Sequence, residues 1–227
     1  MSAAVEFPDM DYEMIHLSGA WARERYVKTR KLEMGTQAVQ SLAGTGSSSE
    51  QNPFIALKRP HTTEDTGEVF GFSFVYSGNF LASAQVDAFQ NVRLQMGLHP
   101  WNGEWYLHPG ETFQTPEVVM AYTHEGLNGL SHLFHTFYRR HLMRGKHADA
   151  LRPILINNWE ATFFQFTEEK LLNLARKASE TGIELFVLDD GWFGHRDGDN
   201  SSLGDWFVDE RKLPHGLPWL ADRGAAC

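Results

Sequence analysis

The fold of the second half of the chain is decided by residues 153–194, which read PILINNWEATFFQFTEEKLLNLARKASETGIELFVLDDGWFG. Two short apolar runs, residues 154–156 and 183–188, flank a segment in which apolar residues recur at helical spacing. Runs as continuous as the second are typical of strands covered on both faces, as in parallel sheets. The stretch therefore predicts a strand, a helix and a second strand of an α/β sheet or a (β/α)8 barrel.

The predicted helix carries signals at both ends. Thr167 is a residue type that caps helix N-termini, and the carboxylates of Glu168 and Glu169 favour the positive end of the helix dipole. Gly182 suits the left-handed position that follows a helix C-terminus. The side chains expected to face the sheet are Leu171, Leu174, Ala175 and Ala178.

Polar and aromatic residues follow both predicted strands, at positions 157–160 (NNWE) and 189–194 (DDGWFG). Neighbouring strands of a right-handed βαβ unit end on the same side, where α/β proteins bind ligands. Carboxylates accept hydrogen bonds from hydroxyls and an indole packs on a sugar ring, so Trp159, Asp189 and Asp190 predict a carbohydrate site. The alternative is structural: the aspartates cap the next helix and the tryptophans fill the top of a barrel.

Two adjacent carboxylates also suggest the acid and the nucleophile of a glycosidase, but their geometry opposes this. Successive side chains of an extended strand point to opposite sides, whereas a retaining glycosidase holds two carboxyl groups about 5–5.5 Å apart around one bond. Asp189 and Asp190 are therefore expected to bind neighbouring hydroxyls rather than to form the catalytic pair.

The first half of the chain, from about residue 15 to residue 122, has the pattern of an antiparallel β protein. The strands that stand out are residues 68–76, 80–86, 92–98 and 117–122. The first two are joined by a turn in which Gly78 is free to take a positive φ. The polar, Gly/Ser-rich residues 43–49 predict a mobile loop.

Around Leu127 the apolar spacing becomes helical, which predicts a connecting helix. Its apolar positions are Leu127, Leu130, Phe134, Phe137 or Tyr138, and His141 or Leu142. Histidines 132, 135 and 141 lie near one face, but no carboxylate joins them at ligand spacing, so we expect no metal there. Nor is the stretch that begins at Asp197 an EF-hand loop, since Ser202 and Val208 stand where that loop needs Gly and Glu.

Composition excludes several classes of protein. The 20 Lys and Arg against 29 Asp and Glu give a net charge of -9 without a basic run, so no nucleic-acid partner is expected. No stretch reaches the ~18 apolar residues of a membrane span, and the acidic N-terminus lacks an apolar signal region, so no membrane association is expected. The single cysteine, Cys227, excludes an internal disulfide framework, and a cytoplasmic location fits best.

Several separated motifs occur in one order along the chain. In the second half they are residues 157–161 (NNWEA), 186–194 (FVLDDGWFG), 199–206 (DNSSLGDW) and 212–214 (KLP). In the first half they are residues 17–25 (LSGAWARER), 52–57 (NPFIAL), 67–80 and 109–117 (PGETFQTPE). Together they closely resemble the α-galactosidases of glycoside hydrolase family 36, over about residues 15–217.

The resemblance implies a multidomain β plus α/β architecture: part of a β-supersandwich in residues 1–126, a connecting helix and linker in 127–150, and the first βαβ unit of a (β/α)8 TIM barrel in 151–227. It implies retaining hydrolysis of terminal α-D-galactosyl residues with no metal and no cofactor. Carried over by position, Trp159, Asp189 and Asp190 bind the galactose that is cleaved off, and no contact is assigned to Trp192. The family's nucleophile and acid/base aspartates follow later barrel strands, so no catalytic residue is expected here.

A complete barrel takes ~250 residues, whereas 77 residues follow Ala150. The sequence is therefore expected to be a piece of an α-galactosidase that is inactive alone. The resemblance also implies that the complete enzyme is a homotetramer. Two alternatives stay open: galactosyl transfer of the raffinose- or stachyose-synthase type, and galactoside binding without hydrolysis.

Overall fold

The computed structural model describes residues 2–44, 50–101 and 103–225. The chain divides into two compact units, Met1–Met143 and Arg144–Cys227. Residues 45–49 of the expected mobile loop, and Cys227, lie outside the described residues. Among the helices that the structure describes, none combines the length and the apolar character needed to cross a bilayer.

The first unit is an antiparallel β-sandwich, as the sequence predicted. Its strands are β1 (Ser2–Phe7), β2 (Glu13–Ala20), β3 (Arg23–Lys31), β4 (Gly35–Ser41), β5 (Gln51–Lys58), β6 (Val69–Phe74), β7 (Phe80–Val86), β8 (Val92–Leu98) and β9 (Val118–Thr123). They form two sheets, with the orders β1-β8-β7-β4 and β3-β2-β5-β6-β9. Side chains of both sheets meet in one core, among them Phe80 and Met96 of the first sheet and Met14 and Phe72 of the second.

The five-stranded sheet is covered on both faces. Helix α1 (Gly126–Phe137) packs on its outer face, where Leu130 contacts Ala56 of β5, while the neighbouring Ile55 points into the sandwich core. This double coverage explains why consecutive residues of β5 are buried, which alternation alone does not predict. The helix comes close because Gly71 has no side chain: a Cβ there would lie 2.6 Å from Cε2 of Phe134.

The predicted helix is confirmed, and it ends in a π-helical turn, Tyr138–Leu142. Of the two alternatives for its fourth apolar position, Tyr138 packs on the cluster under the helix, and its hydroxyl lies 3.0 Å from Ser73 Oγ. The helix belongs to the first compact unit, whose boundary falls after Met143.

The predicted strand, turn and strand around Gly78 are present. Both strands exist, but β6 and β7 belong to different sheets, so the turn carries the chain across the sandwich rather than closing a hairpin. Gly78 was free to take a positive φ, but it does not take one. A Cβ at Gly78 would lie 2.7 Å from the ring of Tyr76, so that half-exposed side chain would have to move.

The second unit contains the predicted βαβ arrangement. Its elements are β10 (Leu155–Asn157), the short helix α2 (Trp159–Thr162), α3 (Glu168–Glu180), β11 (Leu185–Val187) and α4 (Gly216–Ala225). The two strands pair in parallel, with Asn157 opposite Val187. The Thr167 hydroxyl accepts from the Lys170 N–H at 3.3 Å, and Gly182 has a φ of +86° after the helix.

The packing of α3 and β11 departs from the prediction at two points. Leu171, Ala175 and Ala178 are buried as expected, but Leu174 is only partly buried. Coverage of both strand faces was wrong for the part of the unit that the structure describes, since Leu185 remains 41% exposed. One face packs on a cluster built from Phe166, Leu171 and Leu213.

Candidate functional site

The two parallel strands of the second unit end side by side, and a buried amide joins their ends. The Asn158 N–H donates to the Val187 carbonyl at 3.3 Å, and the Asn158 Oδ1 accepts from the Asp189 N–H at 2.7 Å. Its Nδ2 donates to Thr162 Oγ1 at 2.8 Å. Asn158 is 1% exposed, so all of these bonds are sheltered from water and fix the spacing of the two strand ends.

Asn157 links the predicted binding residues. Its Nδ2 donates to Oδ2 of Asp189, and its Oδ1 accepts from the Trp159 N–H at 2.7 Å. The other oxygen of Asp189 accepts from the Asp190 N–H at 2.6 Å. The structure thus brings Trp159, Asp189 and Asp190 together at the carboxyl end of the two strands, and we call this group the strand-end rim.

The indole of Trp159 is held by edge contacts with two phenylalanines. Its centroid lies 5.3 Å from that of Phe163 and 4.9 Å from that of Phe164, both nearly perpendicular, an arrangement that aromatic rings favour. Phe164 in turn packs against the turn after Asp190, since a Cβ on Gly191 would lie 3.1 Å from its ring. The ring of Phe164 therefore lies between the half-buried indole of Trp159 and the turn that follows Asp190.

Asp190 is anchored by a cation that the sequence analysis missed. Arg196 is 4% exposed, and its Nε donates to Asp190 Oδ1 at 2.6 Å. The same oxygen accepts from the Gly191 N–H at 2.6 Å. Within the described part of the chain, Oδ2 of Asp190 receives no hydrogen bond, so one oxygen is fixed by protein groups and the other is not.

This anchoring decides what Asp190 can do chemically. The hydrogen bond from Arg196 holds the pKa of the Asp190 carboxyl below its ordinary value of 3.8, against the opposing effect of burial. A general acid needs a pKa near the working pH so that it carries a proton. Asp190 is therefore an ionised acceptor, which suits binding of hydroxyls and not protonation of a leaving group.

Trp192 points away from this chemistry. It is partly buried against the cluster of Phe166, Leu171 and Leu213, and its carbonyl accepts from the Asp209 N–H at 2.8 Å. It therefore contributes to the core of the unit.

An apolar groove of about 420 Å³ lies elsewhere in the second unit. It runs between α3, β11 and α4 and is lined by residues such as Leu171, Phe186 and Leu220. None of the three rim residues lines it, so the groove and the rim are separate features.

Two residues of the site carried only weak signals in the sequence. Asn158 stands within the NNWEA motif, but nothing in that motif says that its amide would bridge the strands. Arg196 is the only Lys or Arg in the acidic stretch 189–199, and this isolation is the one hint that it neutralises a carboxylate.

Two family models match the chain. The model described as the glycosyl hydrolase family 36 N-terminal domain matches residues 1–108, and the model described as Melibiase matches residues 112–226. Among similar proteins, α-galactosidase AgaA of Geobacillus stearothermophilus is 59% identical over 97% of this chain and 30% of its own length. α-Galactosidase Mel36A of Lactobacillus acidophilus is 47% identical over 97% of this chain and 30% of its own length.

Solved structures of α-galactosidases are also similar to this chain. The crystal structure of the α-galactosidase AgaB of Geobacillus stearothermophilus superimposes with a TM-score of 0.93 at 57% identity, over 98% of this chain and 31% of that one. An AgaA variant in complex with raffinose gives a TM-score of 0.93 at the same identity and coverage. The chain thus spans about 30% of the length of the relatives it matches. With both models matched in order and with this degree of identity, the chain belongs to the melibiases of glycoside hydrolase family 36.

Proposed function

We propose that this chain supplies the galactose-binding part of a retaining α-galactosidase, which hydrolyses terminal α-D-galactosyl residues of galacto-oligosaccharides. The observation that carries the proposal is the convergence of Trp159, Asp189 and Asp190 at one strand-end rim. It is supported by the crystal structures of AgaA variants, which hold raffinose in one case and stachyose in another.

The roles follow from the chemistry of each group. The Trp159 indole offers an apolar face to a pyranose, and Oδ2 of Asp190 offers a fixed, ionised acceptor to its hydroxyls. Asp189 presents a second carboxylate whose position Asn157 sets. Two neighbouring acceptors beside one aromatic plane can recognise the pattern of hydroxyls on one sugar.

Bond cleavage requires groups that the rim does not offer. Retaining hydrolysis needs a nucleophile on one side of the anomeric carbon and a protonated acid on the other, about 5–5.5 Å apart. Asp189 and Asp190 are adjacent in sequence, and Arg196 keeps Asp190 ionised. By resemblance, both catalytic aspartates stand on later barrel strands of the longer relatives. We also propose that the full-length enzyme is cytoplasmic, which cell fractionation tests. We further propose that it is a homotetramer, which analytical sedimentation tests.

The test is a hybrid enzyme in which this sequence replaces the matching segment of AgaA. We expect it to hydrolyse an aryl α-galactoside and to leave the β-anomer untouched, and Asp189→Asn to lower kcat/KM by about tenfold or more, as loss of a charged acceptor does. Glu180→Gln removes an exposed carboxylate at the C-terminal end of α3 and serves as the matched control.

Other outcomes separate the alternatives. A folded hybrid that binds galactose without hydrolysing any galactoside would favour a galactoside-binding protein. Transfer of galactose to a sugar acceptor in preference to water, seen by product analysis, would favour a galactosyl transferase.

A further inference from the structure

Two cations, Arg196 and Lys212, stabilise the turn that follows β11 and carries Asp190. Arg196 is buried between the rings of Phe164 and Phe193, with its Cζ 5.5 Å and 5.8 Å from their centroids. A buried guanidinium needs polar partners for its N–H groups. Arg196 meets this need with Nε on Asp190 Oδ1 and Nη1 on the Ser201 carbonyl, each at 2.6 Å.

Lys212 fixes the backbone that carries this pair. Its Nζ donates to the carbonyls of Gly191 at 2.9 Å and of Arg196 at 2.8 Å, and it lies 2.9 Å from Oδ1 of Asp197. One ammonium therefore ties the residue after Asp190 to the residue that binds Asp190. With its side chain 11% exposed, Lys212 works as a part of the interior and not as a surface charge.

We propose that Arg196 is a positioning residue for ligand binding: it clamps Oδ1 of Asp190 so that Oδ2 alone faces the sugar, and Lys212 holds the turn that sets this orientation. The proposal rests on the proposed function, because it names how one of the binding carboxylates is aimed. A carboxylate with both oxygens free samples several orientations, whereas one with a saturated oxygen presents the other in a fixed direction.

A purely structural role for Arg196 is the competing explanation, and the chain contains a matched control for it. Arg211 also pairs with an aspartate at a different place in the same unit: its Nη2 lies 2.6 Å from the fully buried carboxylate of Asp209, and it also reaches Asp197. Arg211 touches neither Asp190 nor Arg196 among the described residues. Loss of either arginine removes an ion pair of the same loop, but only loss of Arg196 frees Asp190.

The experiment compares Arg196→Gln with Arg211→Gln in the AgaA hybrid. We expect kcat/KM for an aryl α-galactoside to fall by about tenfold or more for Arg196→Gln and by less than about threefold for Arg211→Gln, at similar losses of Tm. The acid limb of the kcat/KM profile moves to higher pH in Arg196→Gln only, because Asp190 must be ionised to accept hydroxyl hydrogen bonds. Arg196→Lys keeps a cation near Oδ1 and recovers part of the loss.

Equal kinetic losses and equal pH profiles for the two glutamine variants would overturn the proposal and leave Arg196 as a loop stabiliser. Should Arg196→Gln fail to fold, Arg196→Lys decides: a kcat/KM as high as that of Arg211→Gln would also overturn it, because the clamp predicts only partial recovery. If the unsubstituted hybrid is inactive, the proposed function fails. The clamp is then tested by carboxyl NMR titration of this chain, in which Arg196→Gln and not Arg211→Gln raises the pKa of Asp190.

Discussion

The two carboxylate oxygens of Asp190 differ in their surroundings: Oδ1 accepts from Arg196 and Gly191, whereas Oδ2 accepts no hydrogen bond among the described residues. The position of Asp190 after a strand was readable in the sequence, because acids at strand ends follow from the apolar run before them. Its partner Arg196 was not, since residues 195–201 look like an exposed acidic loop and only the tertiary fold buries the guanidinium. Sequence patterns report periodic burial, and an irregular turn has no period.

The first prediction is that Asp190→Asn in the AgaA hybrid changes both binding and stability. Each charge-assisted hydrogen bond lost to a sugar hydroxyl is worth ~1.5–3 kcal/mol, or about 10- to 150-fold in kcat/KM. The variant also leaves the Arg196 guanidinium buried without its anion, so Tm falls, with Glu180→Gln as the control. Kinetics equal to those of the unsubstituted hybrid would reduce Asp190 to a structural residue.

The second prediction compares two glycines with the same backbone conformation. Gly191 has a φ of +91° and Gly182 a φ of +86°, but a Cβ would approach the Phe164 ring only at Gly191. Both alanine variants lose ~1 kcal/mol of stability or more to backbone strain, and Gly191→Ala loses further stability through its close contact with Phe164. Urea unfolding of the chain measures the difference. A Gly182→Ala variant as destabilised as Gly191→Ala would contradict the assigned crowding.

The third prediction concerns His16, which is 5% exposed in β2. Its Nε2 accepts from Arg30 Nε at 2.9 Å, and its Nδ1 lies 2.8 Å from Ser18 Oγ. Burial, and secondarily the charge of Arg30, lowers the pKa of His16 below its ordinary value of 6.5. Below about pH 6.5 His16 therefore binds a proton in the unfolded chain but not in the folded chain. The free energy of unfolding consequently falls as the pH drops.

Urea titrations at pH 7.5 and 5.5 measure this loss, at most about 1.4 kcal/mol per pH unit for one histidine. His16→Gln is expected to show a smaller loss over the same interval, since the other histidines contribute equally to both proteins. An identical loss in the two proteins would show that His16 titrates normally in the folded state.

At the scale of elements, local signals predicted what they directly encode. The cap, the glycine and three of the four inward positions of α3 were correct, because each depends on neighbours within four residues. The placement of β6 and β7 in different sheets was not predictable from the turn between them. A turn signal says that the chain reverses, and only the core decides whether the second strand returns beside the first or crosses to the other sheet.

The fourth prediction tests the N-terminal cap of α3. Thr167→Ala removes the acceptor of the Lys170 N–H and costs ~0.5–2 kcal/mol of stability, whereas Thr167→Ser keeps the hydroxyl and loses little of it. Chemical unfolding followed by far-ultraviolet circular dichroism measures both. Equal destabilisation of the two variants would assign the effect to the lost methyl group instead of the cap.

At the scale of the whole molecule, the two units differ in how completely their sheets are covered. The five-stranded sheet has the sandwich core on one face and α1 on the other. In the second unit, Leu155 is 52% and Leu185 41% exposed on strands whose sequence is that of buried strands. The sequences of these two strands thus predict more burial than the described part of the second unit provides.

The most direct test assays the purified 227-residue chain beside the AgaA hybrid with an activated aryl α-galactoside. We expect hydrolysis by the hybrid and none by the chain alone, because binding groups cannot replace a nucleophile and a protonated acid. Turnover by the chain within about a hundredfold of the hybrid, abolished by Asp189→Ala, would contradict the account and assign catalysis to residues described here as binding groups.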